Sequence, residues 1–199
     1  FTSCSIGIAL PMNDGERPDD LLRNADIAMY RAKADGAARH ATYVPAMHSM
    51  AVSVMELDMD LRTALQERQF VLHYQPIFAL ETGAISGFEA LLRWKHPKRG
   101  LLWPRDFLDR AEETGVIVPI GRWVVREVCD QLRAWARHGS MAQLPFISLN
   151  VSGKQLAQAD FVSEVAAALR EKRVPGDRLM FELTETSLMQ NPESCALMI

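Results

Sequence analysis

The sequence predicts an α/β fold: a mostly parallel sheet covered by helices, either doubly wound or closed into a barrel, preceded by a smaller α/β unit. Three observations carry this. From Ile85 onward, strand-like runs alternate with helical ones. Phe70 to Ile77 and Ile85 to Trp94 are separated by too few residues for a parallel crossover, which makes them an antiparallel hairpin. The patterning also changes character after Met55 to Arg68, which sets a domain division with residues 1–50 on one side and 51–199 on the other.

Along the first region, Thr2 to Leu10 is rich in small and β-branched residues, and Pro11-Met12-Asn13-Asp14-Gly15 breaks it. A helix starts after Pro18. Asp19 and Asp20 suit its first turn, Leu22, Ala25, Met29 and Ala32 recur every three or four residues, and Gly36 is placed to end it. Ala41 to Val44 is a short closing strand. One such unit cannot bury its apolar face alone, so partner strands are expected upstream of Phe1, and the chain is read as a fragment.

In the second region, Met55 to Arg68 forms a helix with Leu57, Leu61, Ala64 and Leu65 on one face. The hairpin follows, turning at Glu81, Thr82 and Gly83. After the turn-rich His96 to Gly100, Pro104 opens a helical stretch. A second helix carries Ile117, Ile120, Val124, Val128 and Leu132 and ends at Gly139. Phe146 to Ser152 is a strand, Phe161 to Lys172 a helix, and Leu179 to Thr184 another strand.

Composition narrows the function. The chain has 48% hydrophobic and 24% charged residues, an ordinary globular balance. Its net charge of -3 argues against a sequence-independent hold on a nucleic-acid polymer, which needs Lys and Arg to displace counterions. Cys4, Cys129 and Cys195 are odd in number and lack zinc-site spacing, so reduced thiols in a cytoplasmic setting are expected. No apolar run reaches the roughly 20 residues that cross a bilayer. An anchor to the inner membrane upstream of Phe1 is left open.

The chemistry lies in a departure from the rule that strands buried on both faces are apolar throughout. Glu89, Leu91 and Arg93 share one face of their strand. Ser148, Asn150 and Ser152 do the same, as do Met180, Glu182 and Thr184, and Val71, His73 and Gln75. The opposite faces, such as Ile147, Leu149 and Val151, are apolar enough for helices to cover. A half-solvated sheet explains any one strand. In a closed sheet the polar face points inward, where carboxylates need a partner or a cation. Glu89, Asn150 and Glu182 are hard oxygen donors that suit Mg²⁺ or Mn²⁺ better than zinc, and Arg93 can meet a phosphate. His40, His48, His73, His96 and His138 lack metal spacing, with His73 alone on the polar face. Lys95 to Gly100 reads as a solvated turn, and the stripe around Trp123 and Trp135 as core.

The blocks Tyr74-Gln75-Pro76-Ile77, Gly87-Phe88-Glu89-Ala90-Leu91-Leu92-Arg93-Trp94, Ala111-Glu112-Glu113-Thr114-Gly115, Ile120-Gly121-Arg122-Trp123, Leu149-Asn150-Val151-Ser152 and Glu182-Leu183-Thr184-Glu185 resemble the EAL domain in order and spacing. Ser5-Ile6-Gly7-Ile8-Ala9 and Ala25-Asp26-Ile27-Ala28-Met29-Tyr30-Arg31-Ala32-Lys33 resemble the C-terminal end of a GGDEF diguanylate cyclase domain. The resemblance implies an incomplete modified TIM barrel with one antiparallel strand, and hydrolysis of cyclic di-GMP to linear pGpG with two divalent cations. These can neutralise the phosphate and stabilise the leaving oxygen in line. It also implies that Glu89, Asn150 and Glu182 are metal ligands, that Gln75 and Arg93 contact substrate, and that Glu185 steadies a loop near the metals. A homodimer is usual in such proteins. The family's paired aspartates, lysine, and later glutamate and glutamine fall beyond Ile199, so this stretch alone is expected to be inactive. The alternative is an inactive EAL domain that acts as a cyclic di-GMP receptor or interaction module.

Overall fold

The computed structural model of the protein describes residues 3–11, 13, 16–137 and 145–183. They fall into two compact units divided between Met59 and Asp60.

In the first unit β1 (Ile6–Ile8) pairs in parallel with β2 (His40–Thr42), and α1 (Pro18–Ala34) is the crossover between them. Pro18 at the first helical position and Asp19 and Asp20 in the first turn start α1 as the sequence predicts. The apolar stripe, however, is rotated. Asn24, Ala28 and Ala32 are the buried residues, and Leu22 is 67% exposed. The cause is Gly7, where an added Cβ would lie 1.9 Å from the Ala25 carbonyl oxygen and 2.4 Å from the Met29 nitrogen. The strand rests against the helix backbone itself, and the small side chains flank that contact.

Next, α2 (Pro45–Ala64) begins ten residues before the expected Met55, and Leu61 and Ala64 are buried at its end. Among the described residues the second unit is a mixed five-stranded sheet that does not close. β3 (Phe70–Phe78) and β4 (Ile85–His96) form the predicted antiparallel hairpin, with Gln75 opposite Glu89 and Val71 opposite Arg93. A short strand the sequence did not signal, β5 (Gly100–Leu102), folds back on the end of β4, pairing Trp94 with Leu102. A 3₁₀ turn at Pro104–Asp106, α3 (Leu108–Thr114) and α4 (Ile117–Ala136) follow, then β6 (Phe146–Val151), α5 (Gly153–Leu156), α6 (Phe161–Lys172) and β7 (Leu179–Leu183). β4, β6 and β7 run parallel in the order β3-β4-β6-β7. Gly139, expected to end α4, and Thr184 lie outside the described residues.

One sheet face is core, as the alternation predicts. Ala90, Ile147 and Leu149 pack with Val125, Val128, Cys129 and Leu132 of α4 and Ala168 of α6. The spacing of three and four along α4 aims one stripe at the sheet. Trp135 lies against Tyr74 and Phe88, and Trp123 against Phe70, so both tryptophans are half-buried packing residues at the margin of the core. Within this layer burial pushes the Cys129 thiol up to about 11, with Asp130 adding to the effect. The Tyr74 hydroxyl is likewise raised, by burial first and Glu127 second.

Candidate functional site

Strand period and register together build the opposite face. In the antiparallel pair Gln75 stands across from Glu89, and in the parallel pairs Glu89 stands beside Ser148 and Asn150 beside Glu182. Residues paired across a ladder project to the same side. Four neighbouring strands therefore bring Gln75, Glu89, Asn150 and Glu182 onto one face. Glu89 and Asn150 are diagonal neighbours, and the Asn150 side-chain amide Nδ2 donates to Glu89 Oε1 at 2.7 Å. Asn150 and Glu182 are exposed and Glu89 is half-buried.

Asn150 and Glu182 sit at the C-terminal ends of their parallel strands, the edge where α/β barrels and open parallel sheets gather functional groups. A cleft of about 420 Å³ opens there, lined by Leu91, Pro104, Glu112 and Ile120 as well as Asn150 and Glu182. Its floor is held by α5. Ser152 Oγ accepts from the Gln155 backbone N–H, and Gln155 Oε1 accepts from the Ser152 backbone N–H at 3.1 Å, a reciprocal cap at the start of the helix. Gly121 in α4 makes room for this, since a Cβ there would lie 1.8 Å from Gln155 Nε2. Lys154 Nζ donates to the Glu112 carbonyl oxygen and ties α5 to α3.

Glu89, Asn150 and Glu182 offer two carboxylates and an amide oxygen. That donor set fits a hard divalent cation, and the Asn150 to Glu89 bond brings two of the three within reach of one ion. Among the described residues no three His, Cys, Asp or Glu side chains converge as a ligand group. Glu185 lies outside the described residues.

Arg93 sits two strand repeats along β4 from Glu89 and is only 4% exposed. Its Nη1 donates to the Leu92 carbonyl oxygen at 2.8 Å, and its guanidinium lies 4.0 Å from the centre of the Trp103 ring. Sequence reasoning passed over Trp103. The available signal was an aromatic residue just after the turn-rich His96 to Gly100, at hairpin distance from Arg93. Among the histidines, His96 has a structural place. His96 is buried, with Nε2 3.0 Å from Asp60 Oδ2 and Nδ1 accepting the backbone N–H groups of Lys98 and Arg99. His73 is exposed on the polar face, and His138 lies outside the described residues. Among the described residues no helix is long and apolar enough to cross a membrane.

A model of the EAL domain matches residues 58–199, and a model of the diguanylate cyclase GGDEF domain matches residues 1–39. The chain is 41% identical over 197 residues to the bifunctional diguanylate cyclase/cyclic di-GMP phosphodiesterase MucR of Pseudomonas aeruginosa, a match covering 99% of this chain and 28% of that protein. It is 38% identical over 193 residues to the cyclic di-GMP phosphodiesterase PdeR of Escherichia coli, covering 97% and 29%. The chain thus spans less than a third of the length of either relative. Among solved structures, the PaMucR phosphodiesterase in complex with c-di-GMP matches with a TM-score of 0.67 and 43% identity, over 71% of this chain and 57% of that one. The EAL enzyme Bd1971, bound to cAMP and cyclic-di-GMP, matches with a TM-score of 0.65 and 28% identity, over 89% and 46%.

Proposed function

We propose, since the chain belongs to the EAL domain family, that the protein carrying it hydrolyses cyclic di-GMP to linear pGpG. The observation that carries this reading is the Glu89, Asn150 and Glu182 set on one sheet face, with Asn150 bonded to Glu89 at 2.7 Å. In this reading these three residues hold Mg²⁺ or Mn²⁺, which supplies Lewis-acid charge against an anionic phosphodiester.

The chain's own groups have separate tasks. Gln75, directly across from Glu89, contacts the substrate beside the ligand carboxylate. Arg93 contributes a fixed positive charge for a phosphate oxygen. Glu185 steadies a loop beside the ligands. Residues 1–50 belong to a GGDEF domain and residues 51–199 to the EAL domain, in a cytoplasmic protein that acts as a homodimer. The match of residues 1–39 to the GGDEF model supports the first part of that division.

The test is product analysis with the full-length protein. Cyclic di-GMP incubated with Mg²⁺ or Mn²⁺ yields linear pGpG, and removal of the cation by EDTA stops it. Tight binding without hydrolysis selects a receptor instead, and neither binding nor hydrolysis refutes both.

A further inference from the structure

We propose that Trp103 is a positioning residue for Arg93, its indole face holding the guanidinium flat so that the N–H edge is presented to a phosphate oxygen. This rests on Arg93 as a substrate contact in the reading above. The geometry that brings the two together is local. The last β4–β5 pair joins Trp94 to Leu102, so the next step of the hairpin sets Trp103 across from Arg93. The turn is held by His96, whose Nδ1 accepts the backbone N–H groups of Lys98 and Arg99 at 3.1 and 3.3 Å. With that nitrogen accepting, Nε2 carries the proton and donates to Asp60 Oδ2. Trp103 is locked in turn: its backbone N–H donates to Asp106 Oδ2 at 2.8 Å, and its carbonyl accepts from the Asp106 N–H at 2.8 Å.

Three features set this contact apart from simple cover. Trp103 is 49% exposed, so it is not placed there as core. The ring lies over the guanidinium carbon, 4.0 Å from its centroid, which is the cation–π arrangement. Arg93 is also left short of partners, because among the described residues its buried Nε has no hydrogen-bond acceptor and no carboxylate pairs with it. The chemistry of that choice matters. A carboxylate would orient the guanidinium and cancel its charge, whereas a π face orients it and leaves the charge for an anion. The Lys95 to Gly100 segment, a solvated turn by its sequence, is thereby the device that aims Trp103.

The test compares Trp103→Leu, which keeps apolar cover without a π face, with Trp103→Phe, which keeps a π face. The dissociation constant for cyclic di-GMP is measured on the full-length protein by titration calorimetry in EDTA, and KM and kcat are measured with Mg²⁺. Trp103→Leu should weaken binding and raise KM about 10-fold with kcat nearly unchanged, the weight of one largely desolvated cation–π contact. Trp103→Phe should recover most of that loss. Equal binding by the Leu and Phe variants, or binding by Trp103→Leu within about twofold of wild type, overturns the role of Trp103 alone. Wild-type protein that binds no cyclic di-GMP overturns the functional reading and this role with it.

Discussion

Gly121→Ala should destabilise the site's floor in the native protein and stabilise the same fold once Gln155 is gone. Gly121 lies inside α4, where Ala is favoured over Gly by about 1 kcal/mol on helix propensity alone. An added Cβ, however, would lie 1.8 Å from Gln155 Nε2 and 2.7 Å from its Cδ, so the amide must move. Gln155 is 6% exposed, and its Oε1 caps the Ser152 backbone N–H at 3.1 Å. Losing that bond leaves a part-buried donor unsatisfied, at a cost of roughly 1–3 kcal/mol. The net effect of Gly121→Ala is therefore about 1 kcal/mol of destabilisation. In a Gln155→Ala background the collision is absent, and the same substitution should stabilise by up to about 1 kcal/mol, a coupling of roughly 2 kcal/mol between neighbours. Cys129, fully buried eight residues further along α4, reports local opening through its rate of alkylation, resolved from the other cysteines by peptide mass spectrometry. Gly121→Ala should speed its labelling about fivefold and slow it in the Gln155→Ala background. The same sign of effect in both backgrounds would refute the reasoning.

Cys129 carries a pH prediction of its own. Its thiol is raised from 9.0 to about 11, so the folded protein keeps a proton that the unfolded chain has already lost in that range. The Cys129 contribution to stability is constant below about pH 9, falls by at most about 3 kcal/mol between pH 9 and 11, and is level above. Urea midpoints of wild type and Cys129→Ala should diverge across that window, and parallel profiles contradict it. Replacing His96 with Leu removes the acceptor for two turn amides and leaves the Asp60 carboxylate without its partner. Hydrogen exchange at Lys98 and Arg99 should quicken by about tenfold or more, and unchanged protection would mean the imidazole does not hold the turn.

Much of the architecture was legible because side-chain periods are geometric. A period of two puts Glu89, Asn150 and Glu182 on one face and Ile147, Leu149 and Ala90 on the other, whatever the rest of the chain does. The short gap between Phe78 and Ile85 is likewise enough to dictate an antiparallel pair. What escaped was set by contacts too local or too remote for a period. β5 spans three residues and α5 four, too short to show a repeat, and α5 is specified instead by the reciprocal Ser152 and Gln155 cap. The α1 stripe was misplaced because Gly7, a residue with no side chain, decides which helix face approaches the strand. The early start of α2 was hidden by its mixed Met, Ser and Val composition, which carries no clear stripe. At the site, Arg93 was visible as a candidate phosphate contact. Its burial beneath Trp103 depends on the short β4–β5 hairpin, whose three-residue strand is too brief to show a period.

The central claim is that Glu89, Asn150 and Glu182 act as one cation-holding set in a cyclic di-GMP phosphodiesterase. The most direct measurement is the turnover of cyclic di-GMP by the full-length protein at saturating Mg²⁺, with and without Glu89→Ala. Glu89 accepts the Asn150 amide and supplies one of only two carboxylates in the set, so its loss should lower turnover by several kcal/mol of transition-state stabilisation, about 10³-fold or more. Turnover by Glu89→Ala equal to that of wild type would contradict the account.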